Sequence, residues 1–597
     1  MLRKKKNALI LCGLMLGSTL SGIVPNSELP LVHAAAYSMV NKSPVTILPI
    51  DRAKFVVGQQ FDFLIEVENV APQDIKVLID GKDAATVFGK EAKVSKAGSI
   101  STYRIDQVKW NKAGNVRINV EANNLKRSVE YVVVADKAVK KAKNVILMIG
   151  DGMSLQSRQI ARILSKGINE GKYNDLLEME KMSNMALITT SGYDSLVTDS
   201  ANSASAYATG HKGVVNSMGT YADSTKDPFD DPKVENIVEL VKRTKNMSVG
   251  LVSTSNITDA TPAAMITHTR KRSEQNYIAQ DFLAGNHKPD VILGGGSRHF
   301  LPQSIPGSKR KDEKNLIEAF KKDGYNFSDT QTSLRSTPKD AKKILGLYNL
   351  DNMNVYLDRA MLKNPDVLGG FNDQPGLVEM TTTAINSLKQ NPNGFFLMVE
   401  GACIDKQLHT MDWQRAAYDN IEFDKAIGEA RKFAAQNNDT LVIVVADHSH
   451  GSSITGTYHE LDGKTGREAV RTYADAGFPS FVDANKDGYP DNPDAEITLA
   501  VHFANHPDAN IDYRFKEKPM SPAIMADGKA IANPMTTGEF YKGNIPANES
   551  SEVHSADDII LNAEGPGAEY FHGVLDNTEV FFGMVRALGI NGNKNSK

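Results

Sequence analysis

The sequence predicts two successive domains, an all-β domain followed by a larger α/β domain that forms a three-layer sandwich around a central, mainly parallel sheet. Residues 37–136 alternate apolar and polar side chains with a period of two, which is typical of half-buried strands. From residue 144 onward, short continuous apolar runs alternate with helical patterns, as in parallel sheets covered by helices on both faces. The length of 597 residues also favours more than one domain.

The first 36 residues have the pattern of a secretory signal peptide. Residues 3–6 are Arg-Lys-Lys-Lys, an apolar run follows to about Leu20, and residues 34–36 are small enough for a cleavage site. The run is short and interrupted by glycine, and no later segment approaches the ~20 apolar residues of a membrane span. We therefore expect a secreted protein, extracellular or held in the cell envelope or periplasm, with no transmembrane segment after cleavage.

The charge of the chain argues against nucleic-acid binding, and its cysteine content argues against an intrachain disulfide. The chain carries 68 basic and 72 acidic side chains, so it lacks the basic surface of a nucleic-acid-binding protein. Cleavage of the signal peptide would remove Cys12 and leave Cys403 alone, which excludes an intrachain disulfide. Stability after export must then come from packing and bound metal.

The strand patterns of residues 37–136 predict an antiparallel β-sandwich, immunoglobulin-like in architecture. The first alternating run is residues 61–68, and the alternation recurs at 75–79, 116–120 and 129–133, so we expect six or so short strands. The domain contains no cluster of His, Asp or Glu that indicates chemistry. We expect it to act as a spacer or as a module for cell-surface contact, with the lysine-rich residues 137–143 as a linker.

In the α/β domain, residues 144–597, polar side chains follow directly after several apolar runs. Asp151, Glu400, Asp447 and His448 occupy this place, and active sites of parallel sheets lie beyond the carboxyl ends of the strands. Patterns at 375–390, 413–436 and near the C-terminus predict helices. The runs predicted as buried parallel strands are 145–149, 249–253, 291–293, 395–399, 441–445 and 559–561.

Ser200 begins an alanine-rich run, residues 201–208, that predicts a helix ending near Gly210. A serine at a helix N-terminus lies where unpaired amide groups and the helix dipole favour an anion, so it could attack phosphorus there. The simpler alternative is that Asp199 and Ser200 only cap a buried helix. Taken alone, this segment favours the simpler alternative.

Two pairs of a carboxylate and an imidazole suggest a metal centre. Asp405 and His409 are four residues apart and share a helix face, and Asp447 and His448 follow an apolar run. Carboxylate and imidazole ligands suit zinc, whereas Glu400 suits a harder oxygen site. Each pair alone could be an ion pair or a satisfied core histidine. Two pairs with further carboxylates at strand ends favour metal binding.

Seven short motifs follow one another between about residues 144 and 590. They are Ile149-Gly-Asp151-Gly, Thr198-Asp-Ser200-Ala, Asp259-Ala-Thr261-Pro-Ala-Ala followed by His268 and Arg272, Leu293-Gly-Gly-Gly-Ser, Val399-Glu400-Gly-Ala-Cys-Ile-Asp405-Lys406-Gln-Leu-His409, Ala446-Asp447-His448-Ser-His450, and His554-Ser555. In these motifs the sequence resembles the alkaline phosphatases. The motifs follow the order of that family over roughly 450 residues, which makes chance agreement remote.

The resemblance implies an alkaline-phosphatase-like fold with two Zn²⁺ ions, one Mg²⁺ ion and a phosphoserine formed at Ser200, and it gives Arg272 the role of gripping the phosphoryl oxygens. It further implies the following ligand sets: Asp405, His409 and His554 for the first zinc; Asp151, Asp447 and His448 for the second; and Asp151, Thr261 and Glu400 for magnesium. Asp259, Lys406 and His450 would act around these ligands, the first two through water. Leu408 and Cys403 depart from residues common in relatives, from which we expect altered metal affinity or turnover.

A polar insertion at about 455–550 carries a calcium-loop pattern. Oxygen-bearing side chains and a glycine have the spacing of an EF-hand loop, although position 12 is aspartate and no flanking helices are evident. The alternative is an acidic turn rich in glycine and proline. The residues concerned are Asp483, Asn485, Asp487, Tyr489, Asp491 and Asp494, with Gly488 between them.

We expect an alkaline phosphatase that hydrolyses small phosphate monoesters with broad specificity. A phosphodiesterase or nucleotide pyrophosphatase of the same fold is the nearest alternative, but those enzymes generally use threonine and lack the magnesium ligands. A sulfatase would need a different sequence around Ser200, and a surface-binding protein with an inactive domain would not need a complete ligand set. The family often forms homodimers, which the extra domain and the insertion could alter or block.

Overall fold

The structure is a computed structural model, and it describes residues 43–135, 141–459, 463–464, 469–479, 497–504, 524–526, 529–531 and 551–590. The predicted signal peptide, most of the predicted linker and the predicted calcium loop lie outside these residues. Within the described ranges, no helix is both long and apolar enough to cross a membrane.

The N-terminal domain has nine strands in two sheets, more than the six or so that the alternation predicted. They are β1 (Val45–Leu48), β2 (Lys54–Val56), β3 (Gln60–Glu68), β4 (Ile75–Ile79), β5 (Lys82–Asp83), β6 (Lys93–Ala97), β7 (Ile100–Lys109), β8 (Gly114–Ala122) and β9 (Leu125–Val134), with one short helix, α1 (Ala84–Phe88). The sheets have the orders β1–β3–β7–β6 and β2–β9–β8–β4–β5. All neighbours are antiparallel except β2 and β9. Strand β6 was missed because all five of its residues are exposed.

Strand β3 is buried on both faces, although its alternation predicted one face in water. Phe61, Phe63, Ile65 and Val67 point into the core that the two sheets share. The opposite face, which includes Asp62, packs against a segment of the α/β domain.

The α/β domain is organised around a ten-stranded sheet with the order β16–β17–β15–β14–β18–β10–β19–β27–β13–β28. The strands of this sheet are β10 (Asn144–Gly150), β13 (Asn184–Thr189), β14 (Ser248–Asn256), β15 (Val291–Gly295), β16 (Asn326–Ser328), β17 (Ile344–Leu347), β18 (Phe395–Gly401), β19 (Thr440–Ala446), β27 (Ile559–Glu564) and β28 (Gly573–Asp576). The central strands are parallel and fully buried, as the continuous apolar runs predicted.

One strand differs from the prediction: β27 runs antiparallel to both of its neighbours, β19 and β13. The chain reaches β27 shortly after His554, which lies with the site residues at the carboxyl edge of the parallel strands. A strand that enters from that edge must run back toward the opposite edge. The apolar run at 559–561 indicates burial but carries no information about direction.

Helices cover the sheet. The helices of this domain are α2 (Leu155–Lys166), α3 (Ser200–Thr209), α4 (Ile237–Lys245), α5 (Ala260–Ala264), α6 (Gln275–Asp281), α7 (Leu316–Lys322), α8 (Gln331–Arg335), α9 (Pro365–Leu368), α10 (Leu377–Leu388), α11 (Cys403–His409), α12 (Trp413–Asn437) and α13 (Glu579–Leu588). The three helical patterns predicted at 375–390, at 413–436 and near the C-terminus correspond to α10, α12 and α13.

Nine short strands lie outside the ten-stranded sheet in the described part of this domain. They are β11 (Ile168–Asn169), β12 (Lys172–Tyr173), β20 (Ser449–His450), β21 (Ser452–Tyr458), β22 (Val470–Arg471), β23 (Thr498–Phe503), β24 (Ile524–Ala526), β25 (Lys529–Ile531) and β26 (His554–Ser555). Strand β20 pairs with β26 and sets His450 opposite His554. The backbone amide of Gly451 also donates to the carbonyl of Val553 at 3.3 Å, so the two ends of the insertion lie side by side.

Candidate functional site: a metal centre with a serine

Ser200 is the first residue of α3, as the alanine-rich run predicted. The side chain of Asp199 accepts a hydrogen bond from the amide of Asn202 at 3.1 Å and caps the helix. Gly210 ends it with φ of 77°, a left-handed conformation that glycine adopts without strain. All ten residues of the helix are buried, so Ser200 is presented by a rigid and enclosed element.

Parallel register brings the polar residues of three strands to one edge. Gly150 of β10 is level with Ala446 of β19, and its neighbour Ile149 is level with Glu400 of β18. Asp151 and Asp447 follow these strands directly and are buried. The edge predicted from the sequence is therefore where the carboxylates meet.

The hydroxyl group of Ser200 faces two of the predicted metal ligands. Its Oγ atom lies 3.3 Å from Asp151 Oδ1 and 3.3 Å from the Nε2 atom of His448. Ser200 is 2% exposed, so this contact takes place in an environment with little water. The hydroxyl thus lies among the groups that would hold a metal ion.

Asp405, His409 and His554 lie together, and His450 joins them. The Nε2 atoms of His409 and His554 are each 3.4 Å from Asp405 Oδ1, and they are 3.1 Å from each other. His409 Nδ1 lies 2.8 Å from the carbonyl of Glu552, which fixes the orientation of its ring.

His450 lies against the first group of ligands. Its Nε2 atom is 2.6 Å from Asp405 Oδ1, so it holds that carboxylate in place, the kind of contact predicted for it. Burial lowers the pKa of His450 to about 3, more than the opposing effect of Asp405. The ring is therefore neutral at working pH and can donate only one proton.

A second group consists of Asp151, Asp405 and His448, each of which offers a ligand atom within 4.8 Å of the others. Asp447, predicted for this set, accepts hydrogen bonds through Oδ1 from the backbone amides of Gly152 and His448, both 2.9 Å away. Its Oδ2 atom has no hydrogen-bond partner among the described residues and lies 3.4 Å from His448 Nε2. A buried carboxylate oxygen without a hydrogen-bond partner is a suitable ligand for a cation.

The oxygen ligands predicted for magnesium are also buried. Glu400 accepts a hydrogen bond from Ser253 Oγ at 2.5 Å, and burial together with Asp151 holds the pKa of Glu400 well above its usual range. Thr261 lies on α5, and its Oγ1 atom is buried without a hydrogen-bond partner in the described part of the chain. A buried oxygen atom that lacks a hydrogen-bond partner is suited to bind a hard divalent cation such as magnesium.

Two cationic side chains complete the site. Lys406 Nζ lies 3.2 Å from Asp405 and 3.3 Å from Asp259. Arg272 donates from one Nη atom to Asp199 and from the other to Asp259, both at 3.0 Å. Burial alone would raise the pKa of Asp259, but Lys406 and Arg272 more than offset it and hold that pKa well below its usual value.

The structure thus gathers every predicted zinc ligand, Ser200 and the two cations, whereas the calcium loop lies outside the described residues. Sequence reasoning missed the contact of Asp199 with Arg272, because it assigned Asp199 only a capping role. It also missed the carbonyl of Thr198, which lies 2.9 Å from His554 Nδ1 and orients that ring. Backbone atoms carry no signal in the sequence.

The comparisons with known proteins fit this geometry. A family model described as alkaline phosphatase matches residues 142–590. Alkaline phosphatases 3 and 4 of Bacillus subtilis are 31% and 32% identical to the chain, over 76% and 74% of its length and 91% and 88% of theirs. The alkaline phosphatase of the Antarctic bacterium TAB5 is 25% identical with a TM-score of 0.50, over 76% of this chain and 99% of its own. The Thermus thermophilus alkaline phosphatase, at 22% identity and a TM-score of 0.54, shares the fold over 76% and 93%.

The fold and the donor set define a metal-binding hydrolase whose site lies at the carboxyl edge of an α/β sheet. Because the family model covers about three quarters of the sequence, the chain belongs to the alkaline phosphatase family. It is an enzyme, a phosphomonoesterase.

Proposed function

We propose that the enzyme hydrolyses phosphate monoesters through a phosphoserine at Ser200. The observation that carries this proposal is the position of Ser200 Oγ at the N-terminus of a buried helix, 3.3 Å from both Asp151 and His448. The amide groups of the first helical turn favour the phosphoryl oxygens at that point. The proposed substrates are small monoesters of broad chemical variety, because Ser200 and the amides of its helical turn contact only the phosphoryl group.

The proposed ligands are Asp405, His409 and His554 for one zinc ion, Asp151, Asp447 and His448 for the other, and Asp151, Thr261 and Glu400 for magnesium. Support comes from the donor chemistry and from the buried oxygen atoms of Asp447 and Thr261 that lack partners among the described residues. A variant of the TAB5 enzyme is described with magnesium bound in its M3 site. When bound, such ions lower the pKa of attacking hydroxyl groups and offset the charge of the departing oxygen.

Side chains of the protein carry out the attack on phosphorus and bind the phosphoryl group. Ser200 Oγ attacks phosphorus and gives up its hydroxyl proton, the bond from phosphorus to the ester oxygen breaks, and the ester oxygen takes up a proton to leave as the alcohol. Water then attacks the phosphoserine, and inorganic phosphate and the free hydroxyl of Ser200 result. Arg272 would bind two phosphoryl oxygens through the N–H groups that do not face Asp199 and Asp259. Lys406 adds positive charge beside Asp259, which we propose acts through water.

The test replaces Ser200 by alanine and uses Ser203→Ala, one turn further along the same buried helix, as the matched control. Turnover of p-nitrophenyl phosphate and of bis(p-nitrophenyl) phosphate is measured at alkaline pH, together with zinc per chain. We expect about two zinc ions in each protein and loss of monoester turnover in Ser200→Ala alone. Diester turnover without monoester turnover would indicate the phosphodiesterase. Equal activity in both variants would refute the role of Ser200.

We also propose that residues 483–494 bind calcium in a structural role. The support is the spacing of their oxygen-bearing side chains, which matches an EF-hand loop. A calcium-selective chelator should lower the melting temperature of zinc-saturated enzyme, and re-addition of calcium should restore it. An unchanged melting temperature would count against calcium.

Three further proposals concern the protein as a whole. We propose export, on the basis of the signal-peptide pattern in residues 1–36, and N-terminal sequencing of secreted enzyme would locate the cleavage site. We propose that the N-terminal domain is immunoglobulin-like, because its two sheets share one core. A homodimer is proposed from the habit of the family, and sedimentation velocity would reveal a monomer instead.

A further inference from the structure

The N-terminal domain is joined to the α/β domain by an extended set of contacts. Beyond β3, the ladder continues into residues 221–236, since the amide of Asp62 donates to the carbonyl of Lys233 and the amide of Glu235 to that of Gln60, both at 2.9 Å. Tyr221 from the same segment belongs to the N-terminal core. The two domains are therefore continuous in hydrogen bonding and in packing, which a spacer would not require.

Gln59, between β2 and β3, reaches the helix that carries Ser200. Its Nε2 atom donates to the carbonyl of Thr209 at 2.9 Å and to that of Glu235 at 3.3 Å, while Oε1 accepts from the amide of Val56 at 3.2 Å. The side chain is fully buried. Thr209 is the last residue of α3, and carbonyl groups in a last helical turn lack partners within the helix. The N-terminal domain thus supplies a partner for the carbonyl at the C-terminal end of α3.

Helix α3 is a rod held at both ends. Its ten residues span about 15 Å at the usual rise per residue. At the other end Asp199 accepts from the amides of Asn202 and Asn216, both at 3.1 Å, and binds Arg272. Because helix α3 is buried along its length and moves as one unit, a shift of its C-terminal end at Thr209 also shifts Ser200 at its N-terminal end.

A second connection leads from the N-terminal domain toward Arg272. Arg104 of β7 donates to the carbonyl of Asp230 at 2.6 Å. The loop around Asp230 encloses Arg270, which donates to the backbone carbonyl of Asp223 at 3.0 Å and to that of Asp227 at 2.8 Å. Arg270 is two residues before Arg272, so the N-terminal domain supports the segments that carry both proposed phosphoryl-binding groups.

We propose that Gln59 is a positioning residue for phosphoryl transfer, and that the N-terminal domain forms part of the catalytic unit. The inference rests on the proposed role of Ser200, which the Ser200→Ala experiment tests separately. A displacement of about 1 Å in a reacting group can cost roughly 100-fold in rate. Loss of the bond to Thr209 removes one of the contacts that fix this end of the helix, so we expect phosphorylation of Ser200 to slow about tenfold or more.

The experiment compares Gln59→Met with Lys54→Met in the full-length, metal-loaded enzyme. Methionine keeps the length of glutamine and removes both polar atoms. Lys54 also crosses between the domains, but it bonds to Glu579 on α13, at 3.0 and 2.9 Å, and not to α3. The rate of phosphoserine formation is measured in a single turnover by rapid quench, alongside the affinity for inorganic phosphate, zinc per chain and melting temperature.

We expect Gln59→Met alone to slow phosphoserine formation, while both variants keep their zinc and bind inorganic phosphate within threefold of the wild type. Equal rates in the two variants, or rates that follow melting temperature alone, would reduce Gln59 to a stabilising contact and overturn the proposal. If Gln59→Met does not fold, Gln59→Asn replaces it, because a side chain shorter by one methylene cannot span the distance to Thr209. An unchanged phosphorylation rate in Gln59→Asn would overturn the proposal equally.

Discussion

Replacement of Arg272 by methionine should lower kcat/KM for a phosphate monoester by roughly 100- to 4,000-fold. The guanidinium plane is fixed by Asp199 and Asp259, each 3.0 Å from a different Nη atom. The remaining N–H groups of Arg272 can then meet two phosphoryl oxygens without further ordering. Two charge-assisted hydrogen bonds are worth together about 3–5 kcal/mol, and each 1.4 kcal/mol is a factor of ten.

The assay is initial-rate turnover of p-nitrophenyl phosphate, with Lys271→Met as the matched control. Lys271 is the adjacent basic residue; its Nζ atom donates to Glu274 at 2.6 Å, and its side chain is 56% exposed. We expect the control to keep its activity within twofold and Arg272→Met to lose affinity for inorganic phosphate as well. A loss below tenfold, or an equal loss in the control, would refute the assignment and leave Arg272 only as the ion-pair partner of Asp199 and Asp259.

Three further outcomes follow from buried groups. Tyr207→Phe removes the hydrogen bond from α3 to the carbonyl of Ala446, the residue directly before the proposed zinc ligands Asp447 and His448. Urea unfolding should therefore show a loss of about 1–3 kcal/mol in unfolding free energy, and dialysis should show a faster release of zinc. Burial lowers the pKa of His211 to about 3, so this side chain binds a proton more readily in the unfolded chain than in the folded protein. In metal-free protein the free energy of unfolding should therefore fall by about 1.4 kcal/mol per pH unit as the pH drops below about 6.5. His211→Asn should make the free energy of unfolding less dependent on pH in this range. Burial raises the pKa of the Cys403 thiol, so a thiol reagent should label the enzyme only after denaturation, and rapid labelling of the native enzyme would contradict this burial.

The sequence predicted those parts of the site that depend on local patterns. Ser200 at a helix start, Asp405 and His409 one turn apart, and Asp151 after a buried strand all follow from periodicity within a few residues. In the structure Ser200 lies 3.3 Å from Asp151, His409 lies 3.4 Å from Asp405, and Asp151 and Asp405 offer ligand atoms within 4.8 Å of each other. They meet because parallel strands end at one edge of the sheet. These contacts of the site could therefore be predicted from the sequence once the sheet was known to be mainly parallel.

Other features depend on contacts between distant segments, which a periodic pattern does not encode. The polar face of β3 was predicted to meet water, yet Glu66 accepts a hydrogen bond from the amide of Ser224 at 3.1 Å. The direction of β27 depended on the edge from which the chain enters the sheet. The hydrogen bond from the backbone amide of Gly152 to Asp447 Oδ1 was not predicted either, because it joins two residues that are 295 apart in the chain. In each case a partner remote in sequence decides the outcome.

The pairing of β20 with β26 has a consequence for how such enzymes acquire new parts. His450 and His554 are held opposite each other by a two-residue ladder, and Gly451 is bonded to Val553, so the roughly one hundred residues between them begin and end at neighbouring points. The entropy of closing a loop changes by only about 0.6 kcal/mol for each doubling of its length. The length and content of this excursion can therefore vary with little effect on the separation of the two histidines. This ladder is a natural grafting point, where a sensor or a binding module could be installed beside a working catalytic centre.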